Sequence, residues 1–270
     1  MADRIIQTET LQGIANALRG RASQSASDKI EVADFAEVVE YLKVINDSFV
    51  GFLNKNATRI TIPEGVTSIG DNTFTAFMSL TEVNLPSSLN SIGADAFRYC
   101  MNLASILISE GVTTIGNFAF SGCTSLESIT IPEGVTSIGN QAFNGCTSLA
   151  EVNLPSTLTS IKNSVFYDCT SLASIIIPEG VTSIGNNAFS GCTSLESITI
   201  PEGVTSIGVD TFVNCTSLTE VNLPSTLTSI GAGVFESINA NAVINCAFSE
   251  GAVSGAPWGA PNTVTINYDV

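Results

Sequence analysis

The chain has 270 residues, of which 44% are hydrophobic and only 13% charged, about half the usual charged share. Acidic residues outnumber basic ones 25 to 9, and the resulting net charge of −16 repels phosphate backbones, which argues against a nucleic-acid partner. Histidine is absent, which removes imidazole acid–base catalysis, His-activated nucleophiles and imidazole metal sites.

At the N-terminus, Met1-Ala2-Asp3-Arg4 leads into no apolar export core, and no run of 18 apolar residues follows anywhere. The chain is therefore expected to be made in a cytoplasm without a signal peptide and to span no membrane. Leu11, Ile14, Ala15 and Leu18 keep helical spacing up to Gly20. A polar, Ser-rich stretch over residues 21–28 separates them from a second apolar stripe, Phe35, Val38, Val39 and Leu42. Two short amphipathic helices cannot bury both stripes unaided. Residues 1–50 are thus expected to be a small α-helical segment whose Leu11, Ile14, Leu18, Phe35, Val38, Val39 and Leu42 cap the rest, dock on a partner or drive homo-oligomerisation.

From residue 51 the chain repeats. Pro63, Pro86, Pro132, Pro155, Pro178, Pro201 and Pro224 fall on one 23-residue grid, with Ser109 in the vacant slot. Phe74, Phe97, Phe120, Phe143, Phe166, Phe189, Phe212 and Phe235 form a second row in constant phase, and a row of Ile accompanies them. Pro-Ser-Ser or Pro-Ser-Thr recurs every 69 residues, so the array is built of three-coil blocks. In one coil, Leu126, Ile129 and Ile131 alternate with Ser128 and Thr130 as in a strand. Pro132-Glu133-Gly134 suits a type I turn with Pro second and Gly fourth. A second short extended stretch ends at Gly139, and Ala142-Phe143 is expected to enter a brief helical or 3₁₀ turn. One coil cannot bury its own Leu, Ile, Val, Phe and Cys, whereas stacked neighbours can. The fold class is therefore a β-rich repeat solenoid of parallel strands, with eight coils over 51–238 and a C-terminal cap over 239–270. At about 4.8 Å per strand the eight coils make a rod of roughly 40 Å.

The run Ile131-Pro132-Glu133-Gly134-Val135-Thr136-Ser137-Ile138-Gly139, followed by Ala142-Phe143-Asn144-Gly145-Cys146-Thr147-Ser148-Leu149, resembles the BspA-like leucine-rich repeats of bacterial and protozoan surface proteins. The resemblance covers about residues 57–238 and implies a right-handed solenoid acting in adhesion or recognition, with no catalytic residues. The segment Leu11 to Arg19, with Lys29-Ile30 and the helix after it, resembles a module near the N-termini of phage tail and virion-associated proteins of Gram-positive hosts. The C-terminal stretch from Cys246 through Trp258 to Tyr268 resembles the closing segment of similar repeat proteins. Trp258 is placed to cover the last apolar layer, and Thr263 to Tyr268 to add a final strand.

Several rows remain as candidates for chemistry. Cys100, Cys123, Cys146, Cys169, Cys192 and Cys215 recur once per coil, with Cys246 a seventh; parallel side chains in successive coils favour free buried thiols over disulfides or zinc. Glu64, Glu110, Glu133, Glu179 and Glu202 follow the turn Pro or Ser, interrupted by Ser87, Ser156 and Ser225, which argues against a continuous calcium site. The outward strand face is the main candidate partner surface. It carries Glu82, Asn84, Glu151, Asn153, Glu220 and Asn222, with Leu107 and Ile176 standing 69 apart as apolar residues in a polar row. Arg98, Tyr99 and Tyr167, in the variable positions after Phe, are further candidates, the tyrosines for stacking on sugar rings. No catalytic, cofactor or metal residues can be named, so a non-catalytic binding protein for a protein or surface-glycan ligand is expected. A phage tail or virion component comes first, a bacterial surface adhesin or an intracellular scaffold second.

Overall fold

The computed structural model describes residues 57–270, so the expected helical segment with Leu11, Ile14, Leu18, Phe35, Val38, Val39 and Leu42 lies outside the described residues. Over the described residues the chain is a parallel β-solenoid of about nine turns. In the first strand of a coil, Ser128 and Thr130 are exposed and Ile129 is buried. Successive first strands pair in parallel one repeat apart, Ser128 opposite Glu151 and Thr130 opposite Asn153. The turn after the strand closes one residue later than the Pro position suggests: the Val135 N–H donates to the Pro132 carbonyl at 2.9 Å, so Pro opens the turn and Gly sits third. A second, two-residue strand such as Ser137–Ile138 then pairs with Thr114–Ile115 of the coil before.

The core is a set of files running the length of the stack. The eight phenylalanines of the repeat are essentially inaccessible to solvent, and their rings stack with centroids 5.2–5.9 Å apart and interplanar angles of 2–20°. Each buried ring contributes on the order of 1.5–3 kcal/mol of transfer free energy, which only the neighbouring coils make available.

Around each Phe the expected helical turn is replaced by linked β-turns, and the described residues contain no helix. The residues two before and two after Phe hold positive φ, as in Asp95 (55°) and Tyr99 (59°) about Phe97, or Ser164 and Asp168 (54° each) about Phe166. A left-handed residue breaks the continuous right-handed backbone that a helix requires. Alternate N–H groups instead leave the coil: Asp95, Phe97 and Tyr99 donate to Asn117, Ala119 and Ser121 of the next coil at 2.7–2.8 Å. These cross-coil bonds offset the backbone strain.

The strand ladders are interrupted at three places. In the first row, strands pair over coils one and two, four and five, and from seven onward; the third and sixth coils, which carry Leu107 and Ile176, join no sheet. In the second row a four-stranded sheet ending at Ser137–Ile138 is followed by a separate one starting at Ser160–Ile161. The residue after Ile161 is Lys162, where the seven other coils carry glycine.

The stack runs on past the eighth phenylalanine. Val243–Cys246 pairs in register with Glu220–Leu223, and Thr265–Tyr268 pairs with Val243–Cys246. Trp258 lies one repeat beyond Phe235, is buried, and meets that ring edge-on at 6.3 Å. Its carbonyl accepts the Phe235 N–H at 3.1 Å, one residue further on than in the coils before, where each Phe N–H donates to the residue preceding the next Phe. Turned edge-on, the indole ends the file.

Truncating a mid-stack ring, Phe143→Ala, is expected to cost about 3–5 kcal/mol, because rings above and below hold the cavity open. Urea unfolding of the variant against the parent chain measures this.

Candidate binding surface

The first-strand face is assembled from side chains that cannot enter the core because strand alternation turns them outward. It has a three-coil rhythm. The Asn153 Nδ2 donates to Thr130 Oγ1 at 3.4 Å and to Glu151 Oε1 at 3.2 Å, tying the fourth and fifth coils together. The same Thr–Asn–Glu contact joins Thr61, Asn84 and Glu82, and again Thr199, Asn222 and Glu220. Arg59 adds an ion pair to Glu82; its hydrogen bond, followed by that of Asn84, holds the Glu82 carboxyl below its ordinary range.

Between these polar units stand the third and sixth coils. Leu107 is 83% exposed and Ile176 86%, more than any other large hydrophobic side chain among the described residues. Both sit on buried shoulders, Ile106 and Ile108 for the first and Ile175 and Ile177 for the second. In the 23-residue register each stands between an asparagine of the coil before, Asn84 or Asn153, and a threonine of the coil after, Thr130 or Thr199. The two surroundings repeat each other at a spacing of about 14 Å, three strand separations.

The face therefore brings Glu82, Asn84, Leu107, Glu151, Asn153, Ile176, Glu220 and Asn222 onto one surface. Arg98, Tyr99 and Tyr167 lie elsewhere, on the arc of turns around Phe. Arg98 is held by Asp95 at 2.9 Å, by the Tyr99 hydroxyl at 3.1 Å, and over the Tyr99 and Phe118 rings. The Tyr99 ring covers the next coil at Gly122, where an added Cβ would lie 2.5 Å from it. Tyr167 follows its Phe directly and Tyr99 comes one residue later, so the two tyrosines belong to different rows.

The turn glutamates are used in alternation with serine. Glu133 accepts the backbone N–H of Ser156 at 2.9 Å and its hydroxyl at 2.7 Å, and Glu64 and Glu202 hold Ser87 and Ser225 in the same way. These bonds lower the carboxyls of Glu64 and Glu202, so what they add to stability is present above the unfolded-state value and fades as pH falls through the folded one. The serine at every third coil, which spoiled a carboxylate ladder in the sequence, is the partner of the glutamate before it.

All seven cysteines are free and buried. In six of them the thiol donates to the carbonyl of the Phe 26 residues earlier, at 3.1–3.2 Å, as Cys146 does to Phe120. Burial pushes these thiols up, to about 12 for Cys100, Cys146 and Cys215 and about 11 for Cys246.

A family model for the BspA type leucine-rich repeat region, in six copies, matches residues 45–173 and again 114–242. Among solved structures, a leucine-rich repeat protein from Bacteroides ovatus ATCC 8483 is 25% identical, with a TM-score of 0.51, covering 78% of this chain and 75% of its own. The leucine-rich repeat protein TpLRR of T. pallidum is 29% identical, with a TM-score of 0.52, covering 69% and 78%. No curated protein matches the chain. The resemblance of the two ends to phage tail proteins has no support in these matches.

Because the thiolate is the reactive form, the folded protein is expected to resist alkylation at pH 8 at all seven cysteines. Iodoacetamide labelling followed by mass spectrometry should show rapid modification only in denaturant; fast labelling of the native chain would contradict the buried, bonded thiol row.

Proposed function

The chain belongs to the BspA-type leucine-rich repeat family, and on that premise we propose that it is a non-catalytic recognition scaffold of a bacterial surface, of adhesin type. Among the described residues no helix is long and apolar enough to cross a membrane. The surface-adhesin reading agrees with the family, and the phage-tail reading lacks a comparable footing.

The strand face is the proposed binding surface, and a protein the proposed partner class. The single observation that carries this is the exposure of Leu107 and Ile176, three coils apart in duplicated surroundings. Burying two such side chains in a partner is worth roughly 1.5–3 kcal/mol each. The locked Thr–Asn–Glu unit between them, with one on either side of the pair, supplies a rigid polar rim whose ordering cost is met on folding.

The test compares the full chain with a Leu107→Asn, Ile176→Thr double variant, each change importing the residue that an equivalent coil already carries. On one array of purified surface proteins and glycans, a ligand of the parent chain is expected to bind the double variant at least tenfold more weakly, with thermal unfolding unchanged. Ligands retained equally by both would move recognition away from the strand face.

A further inference from the structure

The second-strand row obeys a steric rule that one coil breaks. At Gly93, Gly116, Gly139, Gly185, Gly208 and Gly231, an added Cβ would lie 2.3–2.6 Å from atoms of the preceding coil. Lys162 occupies the same position in the fifth coil and carries that Cβ. The consequence is local. The six glycine N–H groups each reach the carbonyl of the preceding coil's Ile at 2.8–2.9 Å, but among the described residues the Lys162 N–H makes no such bond to Ile138, nor Thr159 to Thr136. The row parts there into its two sheets. The fifth coil thus lacks two backbone hydrogen bonds that the glycine-bearing coils make. Breaks of a local rule concentrate at functional or strained sites.

The chemistry beside it is one-sided. Residues 57–270 hold seventeen Asp and Glu against three cations, Arg59, Arg98 and Lys162. The first two are ion-paired, while the Lys162 Nζ donates only to Ser137 Oγ at 2.8 Å. A groove of about 390 Å³ opens at Lys162 and has no carboxylate in its lining. Asn140, Asn163 and Asn186 run through it. Each uses its Oδ1 to accept a backbone N–H from the next coil at 2.9–3.1 Å, so the amide ends left for a ligand are N–H donors. Serine hydroxyls, Ser160 and Ser183 among them, complete the wall.

We propose that this groove binds the carboxylate of a compact acidic sugar, with Lys162 as its counter-ion, the asparagine amides as donors to the carboxylate, and the serines meeting the ring hydroxyls. An ammonium with converging neutral donors and no facing acceptor charge suits an oxyanion. The acidic field of the rest of the molecule disfavours polyanions, which limits the ligand to a single charge. The site lies on the second-strand row, apart from the strand face, and stands independently of the recognition reading.

The experiment is calorimetric titration of the full chain with glucuronate, and with glucose as the uncharged control, at fixed ionic strength. Saturable binding of glucuronate alone is expected, kept in Lys162→Arg and at least tenfold weaker in Lys162→Met. Lys162→Gly restores the residue of the other coils, so it is expected to fold, to lose the ligand, and to gain hydrogen-exchange protection at Thr159. Equal binding by Lys162→Met, equal binding of glucose, or no saturable binding of glucuronate by the parent chain would overturn the assignment.

Discussion

Everything in this molecule depends on one packing constraint: a ring, a thiol or an isoleucine from one coil stays dry only if its copy in the next coil lies directly over it. The backbone ladders set that translation and the phenylalanine file occupies it, ring on ring at 5.2–5.9 Å. Neither is sufficient alone. Two-residue strands are too short to form a sheet by themselves, and a column of phenylalanines would not hold register without hydrogen bonds across the coils. The left-handed residues on either side of each Phe show the interdependence, since they turn alternate N–H groups out of the coil and onto its neighbour.

In such an object every side chain becomes a row, and interruptions carry the information. The three-coil rhythm links separate features: the glutamate that caps a serine, the asparagine that bridges a threonine and a glutamate, and the apolar residue between those units. A strictly uniform repeat would present a featureless ridge. Alternating locked polar units with projecting Leu107 and Ile176 gives the face texture while leaving the buried files untouched.

The acidic excess and the cysteine row follow the same logic of repetition. A long array of near-identical coils with exposed strand ends is prone to self-association, which net charge opposes. Thiols in every coil would be a hazard if they were reactive, and burial with a carbonyl partner keeps them protonated. The same acidity makes the carboxylate-free lining around Lys162 stand out from its surroundings.

The sequence by itself determined the architecture, because a constant 23-residue phase of Phe, Ile, Pro and Cys leaves stacking as the sole way to bury them. It also singled out Leu107 and Ile176, since strand alternation alone puts both outward. The tertiary structure decided what periodicity cannot express, because these are contacts between coils. It replaced the helical turn at Phe with left-handed residues, paired each turn serine with the glutamate before it, and separated Tyr99 and Tyr167 from the strand face. Two signals in the chain became fully readable only with coordinates: Trp258, already expected over the last layer, falls on the phenylalanine grid, and Lys162 falls on the glycine one. Their meaning is steric, and it emerges only when the neighbouring backbone shows how close an added side chain would come.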